Sequence, residues 1–296
     1  MRTPAFLVHQ NDYQELWQTR GLIQVGPRLV NGPHSLHLTD LSVAGLRRAL
    51  EQQGVAARGV LIHYTDAYEM RRAPLRGLRE WPGPRLMACG DLHHGKDPLN
   101  TLFQYFAAEP HDAVLLTFNP MLLPQVRAQL PVPVRCFPPS FFRYPATTRA
   151  AQPRLELLHV GTLGGNHPRR RELVTALSSR RAIPFRHAST NTAAEAAALY
   201  AQYALVLNVP LNNDLNHRVF EVMAAGVPQV ILGDRSLLGD NSPLAQRPDL
   251  FWAKGLEELE ILVQNLFSKP EKLLQIPVKP PCYWDLDALL KQALAP

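Results

Sequence analysis

The sequence predicts an α/β protein with two parallel-sheet domains that face each other across a cleft. Short apolar runs of strand type alternate with segments whose apolar residues recur at helical spacing, first before residue 137 and again from residue 155. A polar stretch with several prolines, residues 138–153, separates the two series and is typical of a linker. Ligands of open α/β sheets bind beyond the carboxyl ends of the strands, so each sheet is expected to carry its site on one wall of the cleft.

The first half contains five predicted strands and two predicted amphipathic helices. The strands cover residues 5–9, 60–64, 85–89, 113–118 and 132–137. The helices cover residues 99–108 and 121–130, between the later strands. Residues 10–40 are too irregular for a prediction.

The second half shows the same alternation more clearly. Its predicted strands are 155–160, 183–187, 204–209 and 229–232, and its predicted helices are 169–179, 193–203, 217–225 and 256–266. A proline-rich connection, 270–281, precedes a short last helix, 286–294. We therefore expect an N-terminal domain (1–145), a C-terminal domain (154–270) and a terminal segment with a helix (271–296), for which a return to the N-terminal domain is one alternative.

Composition excludes several classes of protein. Hydrophobic residues make up 46% and charged residues 19%, so the chain can bury a core. The three cysteines are far apart and form neither a disulfide framework nor a CxxC metal motif, which favours a reducing cytoplasm. No apolar run reaches about 18 residues and the first ten residues have no signal-peptide pattern, so neither a membrane span nor export is expected.

The net charge is positive, since 31 basic residues exceed 25 acidic residues by 6. Such an excess suits nucleic acid, an anionic membrane surface or a phosphate-bearing ligand, and it does not choose among them. No zinc finger, aromatic recognition motif or basic helix accompanies the charge, so nucleic acid is the least favoured partner.

A glycine-rich turn joins the strand that ends at residue 160 to the next helix. Its glycines permit positive φ angles and close backbone approach, and Pro168 suits the first position of a helix. Free N–H groups, the helix dipole and the basic residues that follow predict a phosphate site. Its predicted members are Gly161, Thr162, Gly164, Gly165, Arg169 and Arg170. The spacing is neither a Walker loop nor a GxGxxG motif, and an ordinary strand-to-helix turn is the alternative.

A second group of polar residues surrounds the helix predicted at 217–225. Asn216 is a good N-cap residue, and Gly226 suits the helix end. Glu221 lies among apolar neighbours, and a carboxylate in that setting needs partners. The two vicinal hydroxyls of a ribose are suitable ones, because both carboxylate oxygens accept hydrogen bonds. A solvent-facing side chain and an ion pair with a nearby arginine are the alternatives.

The string RVFEVMAAGVP, residues 218–228, resembles the nucleotide-sugar-binding signature of GT-B glycosyltransferases of the group-1 superfamily, in particular the spore-maturation-protein branch. Residues 159–173 resemble the strand and glycine turn that open the C-terminal domain of that family, and residues 229–234 resemble its next strand. The resemblance covers about residues 155–267 in order and spacing. The first half matches loosely, through residues 90–94 and 138–139.

The resemblance implies a GT-B fold with two Rossmann-like domains, in which the C-terminal domain binds a nucleoside diphosphate sugar and the N-terminal domain binds the acceptor. It implies no cofactor besides this donor substrate. Glu221 falls where the family glutamate binds the ribose, and the Gly161 turn falls where the family loop approaches the diphosphate. Arg169 or Arg170 lies near the family's phosphate-binding cation, and Asn216 and Arg218 at the start of the signature helix are within reach of phosphate oxygens.

The sequence departs from the family at one acidic position. Many group-1 enzymes carry a second glutamate eight positions before the first, and here that position is Asn213, followed by Asp214. In the wider superfamily that residue contacts the donor sugar. Its replacement leaves nucleotide binding supported and leaves the sugar and the stereochemical outcome open, although the spore-maturation branch commonly lacks the pair.

The candidate catalytic residues lie in the first half, after the strand predicted at 85–89. They are Asp91, His93 and His94. An imidazole or a carboxylate at the carboxyl end of a strand is suited to abstract a proton from an acceptor hydroxyl. The alternatives are loop histidines without a role and a divalent-metal site that adds Asp97, for which the adjacent ligands are poorly spaced.

The leading hypothesis is therefore metal-independent transfer of a hexose-type sugar from a nucleoside diphosphate sugar to an acceptor hydroxyl. The acceptor is a saccharide, lipid, small molecule or protein. The alternative is a non-catalytic two-lobed protein that binds a nucleotide sugar or another small ligand.

Overall fold

The computed structural model describes residues 4–10, 22–92, 96–136, 142–164, 168–210, 214–238, 242, 244–281, 290–291 and 293–294. The chain divides into two compact units, Met1–Arg143 with Tyr283–Pro296 and Tyr144–Cys282. Each unit contains its own parallel sheet, so the α/β class is confirmed. Within the described residues, no helix has the length and apolar character that a membrane span requires.

The first unit has a seven-stranded parallel sheet in its described part. Its strands are β1 (Ala5–Val8), β2 (Leu22–Gly26), β3 (Ser35–His37), β4 (Val60–Thr65), β5 (Arg85–Cys89), β6 (Ala113–Leu116) and β7 (Val134–Cys136). The order β3-β2-β1-β4-β5-β6-β7 begins with the strand order of a Rossmann sheet, with the reversal between β1 and β4.

Four α-helices of the first unit cover this sheet. They are α1 (Val43–Gln52), α2 (Ala67–Arg72), α3 (Pro98–Ala108) and α4 (Leu123–Gln129). One core cluster forms around Leu46 and Leu50 of α1. A second forms around Leu102 of α3 and Val126 of α4.

The second unit has a five-stranded parallel sheet in its described part. Its strands are β8 (Arg154–Val160), β9 (Phe185–Ala188), β10 (Tyr203–Asn208), β11 (Gln229–Leu232) and β12 (Leu250–Ala253). Its α-helices are α5 (Pro168–Arg180), α6 (Ala193–Tyr200), α7 (His217–Ala224), α8 (Leu256–Phe267) and α9 (Pro270–Leu274). The order β12-β11-β10-β8-β9 reverses direction between β8 and β10.

The two faces of this second sheet are both covered by helices. Successive residues of β10 point to opposite faces, with Leu205 in one core cluster and Val206 in the other. Helices α5 and α8 supply the first cluster, and α6 and α7 supply the second. The chain therefore leaves β8 toward one face and β10 toward the other, which opens a crevice at the carboxyl ends of these two strands.

Several predicted elements need correction. The helix predicted at 193–203 ends at Tyr200, because Tyr203 already begins β10. The connection predicted at 270–281 begins with α9, in which Pro270 occupies the first turn, where proline is tolerated. The helix predicted at 121–130 is a 3₁₀ turn, Pro120–Leu122, followed by α4. Most of the last predicted helix, 286–294, lies outside the described residues.

Candidate functional site

Gly161 lies directly after β8, at the point where the strand order of the second sheet reverses. A methyl group built on Gly161 would lie 3.1 Å from Arg218 Nη2, 3.3 Å from His159 Nε2 and 3.5 Å from Arg170 Nη1. Glycine is thus needed here for close approach of three polar side chains to the backbone. Gly161 and Gly164 do not adopt the positive φ that glycine permits, and the Gly161 N–H donates to Ala188 O at 2.9 Å, so it is not one of the free N–H groups expected of this turn.

Two arginines from different helices converge on this glycine. Arg170 of α5 is only 9% exposed and donates from Nη1 to Thr162 O at 3.3 Å. Arg218 of α7 is half-buried. The Nε atoms of both are buried and have no hydrogen-bond partner among the described residues. One buried and one half-buried guanidinium group therefore share one site, and the Nε donor of each lacks a partner among the described residues.

The electrostatics of this pair are unfavourable in the absence of an anion. Burial, followed by the charge of Arg218, lowers the pKa of Arg170 to about 10, whereas Asp214 acts in the opposite direction. Arg170 therefore remains charged at neutral pH. Asp214 is buried at this point and Glu221 lies one helical turn beyond Arg218, and an additional anion beside the two guanidinium groups would further offset their mutual repulsion.

The other predicted members of the glycine turn have different positions. Arg169 is exposed, whereas its neighbour Arg170 is buried beside Gly161. Thr162 is exposed and contributes its carbonyl to Arg170. Gly164 is exposed and has open space around its Cα. Gly165 lies outside the described residues.

Two stacked histidines lie next to the Gly161 turn, and one of them is hydrogen-bonded to it. The rings of His159 and His187 have centroids 6.0 Å apart. His187 Nε2 donates to Gly161 O at 2.8 Å, and His159 Nδ1 donates to Leu207 O at 3.0 Å, since a carbonyl only accepts. Burial, followed by the charge of Arg218, lowers the pKa of His159 to about 3, so His159 is neutral. Its Nε2 is then an unprotonated acceptor beside the arginines.

Glu221 lies one turn beyond Arg218 on the same face of α7. Its Oε2 accepts a hydrogen bond from Tyr200 Oη at 3.2 Å, and its side chain is half-buried. Burial raises the pKa of Glu221, and the charge of Arg218 and the hydrogen bond from Tyr200 partly offset this rise. The side chain of Glu221 is therefore not fully solvent-facing. The charge of Arg218 lies close to it, as the ion-pair alternative expected.

Asn216 takes the N-cap position of α7, but its side chain does not cap the helix. Instead, Asn216 Nδ2 donates to Asn208 Oδ1 at 3.1 Å. Asn208 Nδ2 and Asn216 Oδ1 are buried and have no partner among the described residues. This amide pair therefore keeps one donor and one acceptor at the carboxyl end of β10.

In the first unit, the structure places Asp91 just after β5. Its backbone carbonyl accepts from Ala67 N at 3.2 Å, and its side chain is half-buried. Asp66 directly follows β4, and Asn119 lies three residues after β6, so polar side chains also follow the two neighbouring strands. The other two predicted catalytic residues, His93 and His94, lie outside the described residues. Across the described parts of the chain, no three metal-ligating side chains come together.

Sequence reasoning assigned no role to four residues of this site: Tyr200, His159, His187 and Asn208. His159, His187 and Asn208 lie at or near the carboxyl ends of β8, β9 and β10, so polar residues at the ends of otherwise apolar strands were an available signal. Tyr200 offers no such signal, since it ends a helix and meets Glu221 only through packing.

Comparison with known proteins is consistent with this geometry. Residues 155–276 match the family described as glycosyl transferase-like, which covers most of the second unit. No curated protein sequence matches the chain.

Three solved structures with similar folds are distant from this chain in sequence. Sucrose-phosphate synthase from Thermosynechococcus elongatus superposes with a TM-score of 0.58 at 10% identity, over 93% of this chain and 92% of that chain. An O-GlcNAc transferase mutant from Thermobaculum terrenum gives 0.50 at 11% identity, over 93% and 64%. A mutant of S. aureus TarM, in complex with Fondaparinux, alpha-GlcNAc-glycerol and UDP, gives 0.50 at 9% identity, over 79% and 53%. The chain spans about half of this TarM structure.

These similarities and the two parallel sheets confirm the predicted GT-B fold with two Rossmann-like domains. The chain therefore has the fold of GT-B glycosyltransferases, and residues 155–276 resemble the glycosyl transferase-like family in sequence.

Proposed function

We propose that the protein transfers a sugar from a nucleoside diphosphate sugar to the hydroxyl of an acceptor. The observation that carries the proposal is the convergence of Arg170 and Arg218 on Gly161, with Glu221 one helical turn away. The two positive charges complement the diphosphate of such a donor. The carboxylate one helical turn away complements the ribose that is attached to the diphosphate.

The diphosphate part of the donor is assigned to the two arginines. Two adjacent guanidinium groups repel each other, and a diphosphate both relieves this repulsion and accepts hydrogen bonds from their N–H groups. The crowding around Gly161 supports the assignment, since a phosphate can approach a backbone that carries no side chain. The first turn of α5 lies a few residues away and adds the positive end of its dipole.

The ribose is assigned to Glu221. Positions 218 and 221 are three residues apart in a helix, a rise of about 4.5 Å, which suits a phosphate and the sugar ring attached to it. The Glu221 carboxylate already accepts one hydrogen bond from Tyr200, and its remaining lone pairs can accept from the two ribose hydroxyls.

The chemistry follows from these assignments. The acceptor oxygen forms a bond to the anomeric carbon while the bond from that carbon to the β-phosphate oxygen breaks, and the electron pair of the broken bond goes to the diphosphate. Arg170 and Arg218 would stabilise the developing charge without a metal. The acceptor proton would pass to a base in the first unit, for which Asp91, His93 and His94 are the candidates.

Several finer assignments belong to the same proposal. We take the transferred sugar to be a hexose, the site of action to be the cytoplasm and the family branch to be that of the spore-maturation proteins. UDP is the first nucleotide to test, because the S. aureus TarM structure contains it.

A non-catalytic binding protein is the second candidate, and Asn213 favours it. This residue stands where many group-1 enzymes carry the acid that contacts the donor sugar. Such a protein would bind a nucleotide sugar and release no product.

The test is a transfer assay with UDP-, GDP-, ADP- and dTDP-hexoses and saccharide, lipid and small-molecule acceptors. Release of nucleoside diphosphate together with an acceptor that is heavier by one sugar is the expected result. Binding without release in any combination supports the second candidate. Absence of binding to every nucleotide sugar contradicts both.

A further inference from the structure

Tyr200, the last residue of α6, has a hydroxyl group that the proposed reaction does not use. Its side chain is completely buried. A buried phenol requires a hydrogen-bond partner, and the partner here is Glu221 Oε2 at 3.2 Å. This contact joins α6 to α7 on the face of the sheet that both helices cover.

The same hydroxyl also interacts with Arg218. Burial and the charge of Glu221 raise the pKa of Tyr200, and the nearby Arg218 partly offsets this rise. An ionised carboxylate only accepts hydrogen bonds, so the phenol O–H is the donor to Glu221.

We propose that Tyr200 is a positioning residue of the donor site, which orients the Glu221 carboxylate for the ribose. This inference rests on the proposed function. In the proposed function Tyr200 contacts no part of the donor, and it acts only through Glu221.

The physical argument concerns the carboxylate. One lone pair of Oε2 is occupied by Tyr200, and this fixes the plane in which the remaining lone pairs face the ribose. Burial raises the pKa of Glu221, and Tyr200 is one of two groups that counteract the rise, Arg218 being the other. Loss of the hydroxyl would therefore leave the Glu221 carboxylate less well oriented and would raise its pKa further. The contacts between the arginines and the phosphates would remain.

The test is the Tyr200→Phe variant of the full chain, which keeps the ring and removes only the hydroxyl. Affinities are measured by calorimetry for UDP, ADP, GDP and CDP, and for their 2′-deoxy and 3′-deoxy forms. The matched control is Tyr203→Phe, because Tyr203 is also buried but its hydroxyl accepts from Arg154 Nη1 at 3.3 Å, on a strand away from Glu221.

Wild-type protein is expected to bind the ribonucleotide at least tenfold more tightly than the deoxy forms. Tyr200→Phe should weaken ribonucleotide binding about five- to tenfold and leave deoxynucleotide binding nearly unchanged, so that the discrimination shrinks. Tyr203→Phe should keep the wild-type discrimination between the ribonucleotide and the deoxynucleotides. Discrimination of wild-type size in Tyr200→Phe would overturn the inference.

The Glu221→Gln variant separates this inference from the proposed function. If wild-type protein does not discriminate, or if Glu221→Gln still does, the ribose assignment itself fails. If Glu221→Gln loses discrimination and Tyr200→Phe keeps it, only the role of Tyr200 fails. Should Tyr200→Phe not fold, Glu221→Asp withdraws the carboxylate from Tyr200 by one methylene, and full discrimination in that variant overturns the inference.

Discussion

Arg170 and Arg218 carry like charges, yet both of their guanidinium groups lie beside the backbone of Gly161. The two side chains come from α5 and α7, on opposite faces of the second sheet. Such an arrangement is destabilising for the folded chain unless an anion neutralises it. Asp214 offsets part of this repulsion, and a bound anion would offset more of it.

Replacement of either arginine should weaken nucleotide binding. Arg170→Gln and Arg218→Gln are each expected to lower UDP affinity about tenfold or more, because each removes charge-assisted hydrogen bonds to phosphate. Calorimetry at two salt concentrations checks this, and the salt dependence should fall in both variants. Arg180→Gln, in the same helix as Arg170 but paired with Glu260 on the surface, is the control. Equal affinities in all four proteins would contradict the phosphate assignment.

Substitution of Gly161 should affect binding more than folding. A methyl group at this position displaces Arg218 Nη2, which lies 3.1 Å away at the end of a flexible side chain. We expect Gly161→Ala to change the melting temperature by only a few degrees and to weaken UDP binding about tenfold. Gly255→Ala, where nothing lies within 4 Å of the added carbon, should change neither. A large loss of stability with normal affinity would show that the glycine serves the fold.

Recognition of the ribose should depend on pH. Burial raises the pKa of Glu221, so as pH falls toward that value the carboxylate gains a proton and loses acceptor capacity. The affinity ratio of UDP to 2′-deoxy-UDP should therefore decrease from pH 8 to pH 5. The ratio is the proper measurement, because protonation of the phosphate affects both nucleotides alike. A ratio that rises on acidification would contradict the assignment.

The first unit should lose stability in acid because of a buried histidine pair. The rings of His63 and His111 stack with centroids 5.8 Å apart, and both residues are 2% exposed. Burial lowers the pKa of His63 well below its usual value and that of His111 to about 3. Stability is then complete above about pH 6.5 and falls as pH decreases toward 3, since the unfolded chain takes up protons first.

The measurement is the urea midpoint between pH 7 and pH 4. Each buried histidine should contribute a loss of roughly 1 kcal/mol per pH unit below about pH 6. His111→Phe should show a shallower loss, and the exposed His34→Gln variant should follow the wild-type curve. Identical slopes in all three proteins would exclude the histidine pair as the cause.

The sequence predicted those parts of the fold whose signals are local. The strands Arg85–Cys89 and Gln229–Leu232 were predicted to the residue, because apolar runs bounded by turn residues are strong signals. Strand β12, Leu250–Ala253, was missed, since it is a short edge strand directly before the start of α8. Strands β2 and β3 were missed in a region without a regular period.

The residues of the candidate site also fall into those that the sequence predicts and those that only the structure shows. Arg218 and Glu221 were found because they share one helix and one motif. The contribution of Tyr200 depends on the packing of α6 against α7, and that of His159 on the reversal of strand order between β8 and β10. Neither relation is encoded at a fixed spacing in one sequence, so both required the structure.

The most direct test of the ribose and diphosphate assignments is a calorimetric titration of wild-type and Glu221→Ala protein with UDP, ADP, GDP and CDP, and with inorganic pyrophosphate. We predict that at least one nucleotide binds the wild-type protein, that Glu221→Ala weakens binding of this nucleotide about tenfold or more, and that pyrophosphate affinity is the same in both proteins. Unchanged nucleotide affinity in Glu221→Ala would contradict the account.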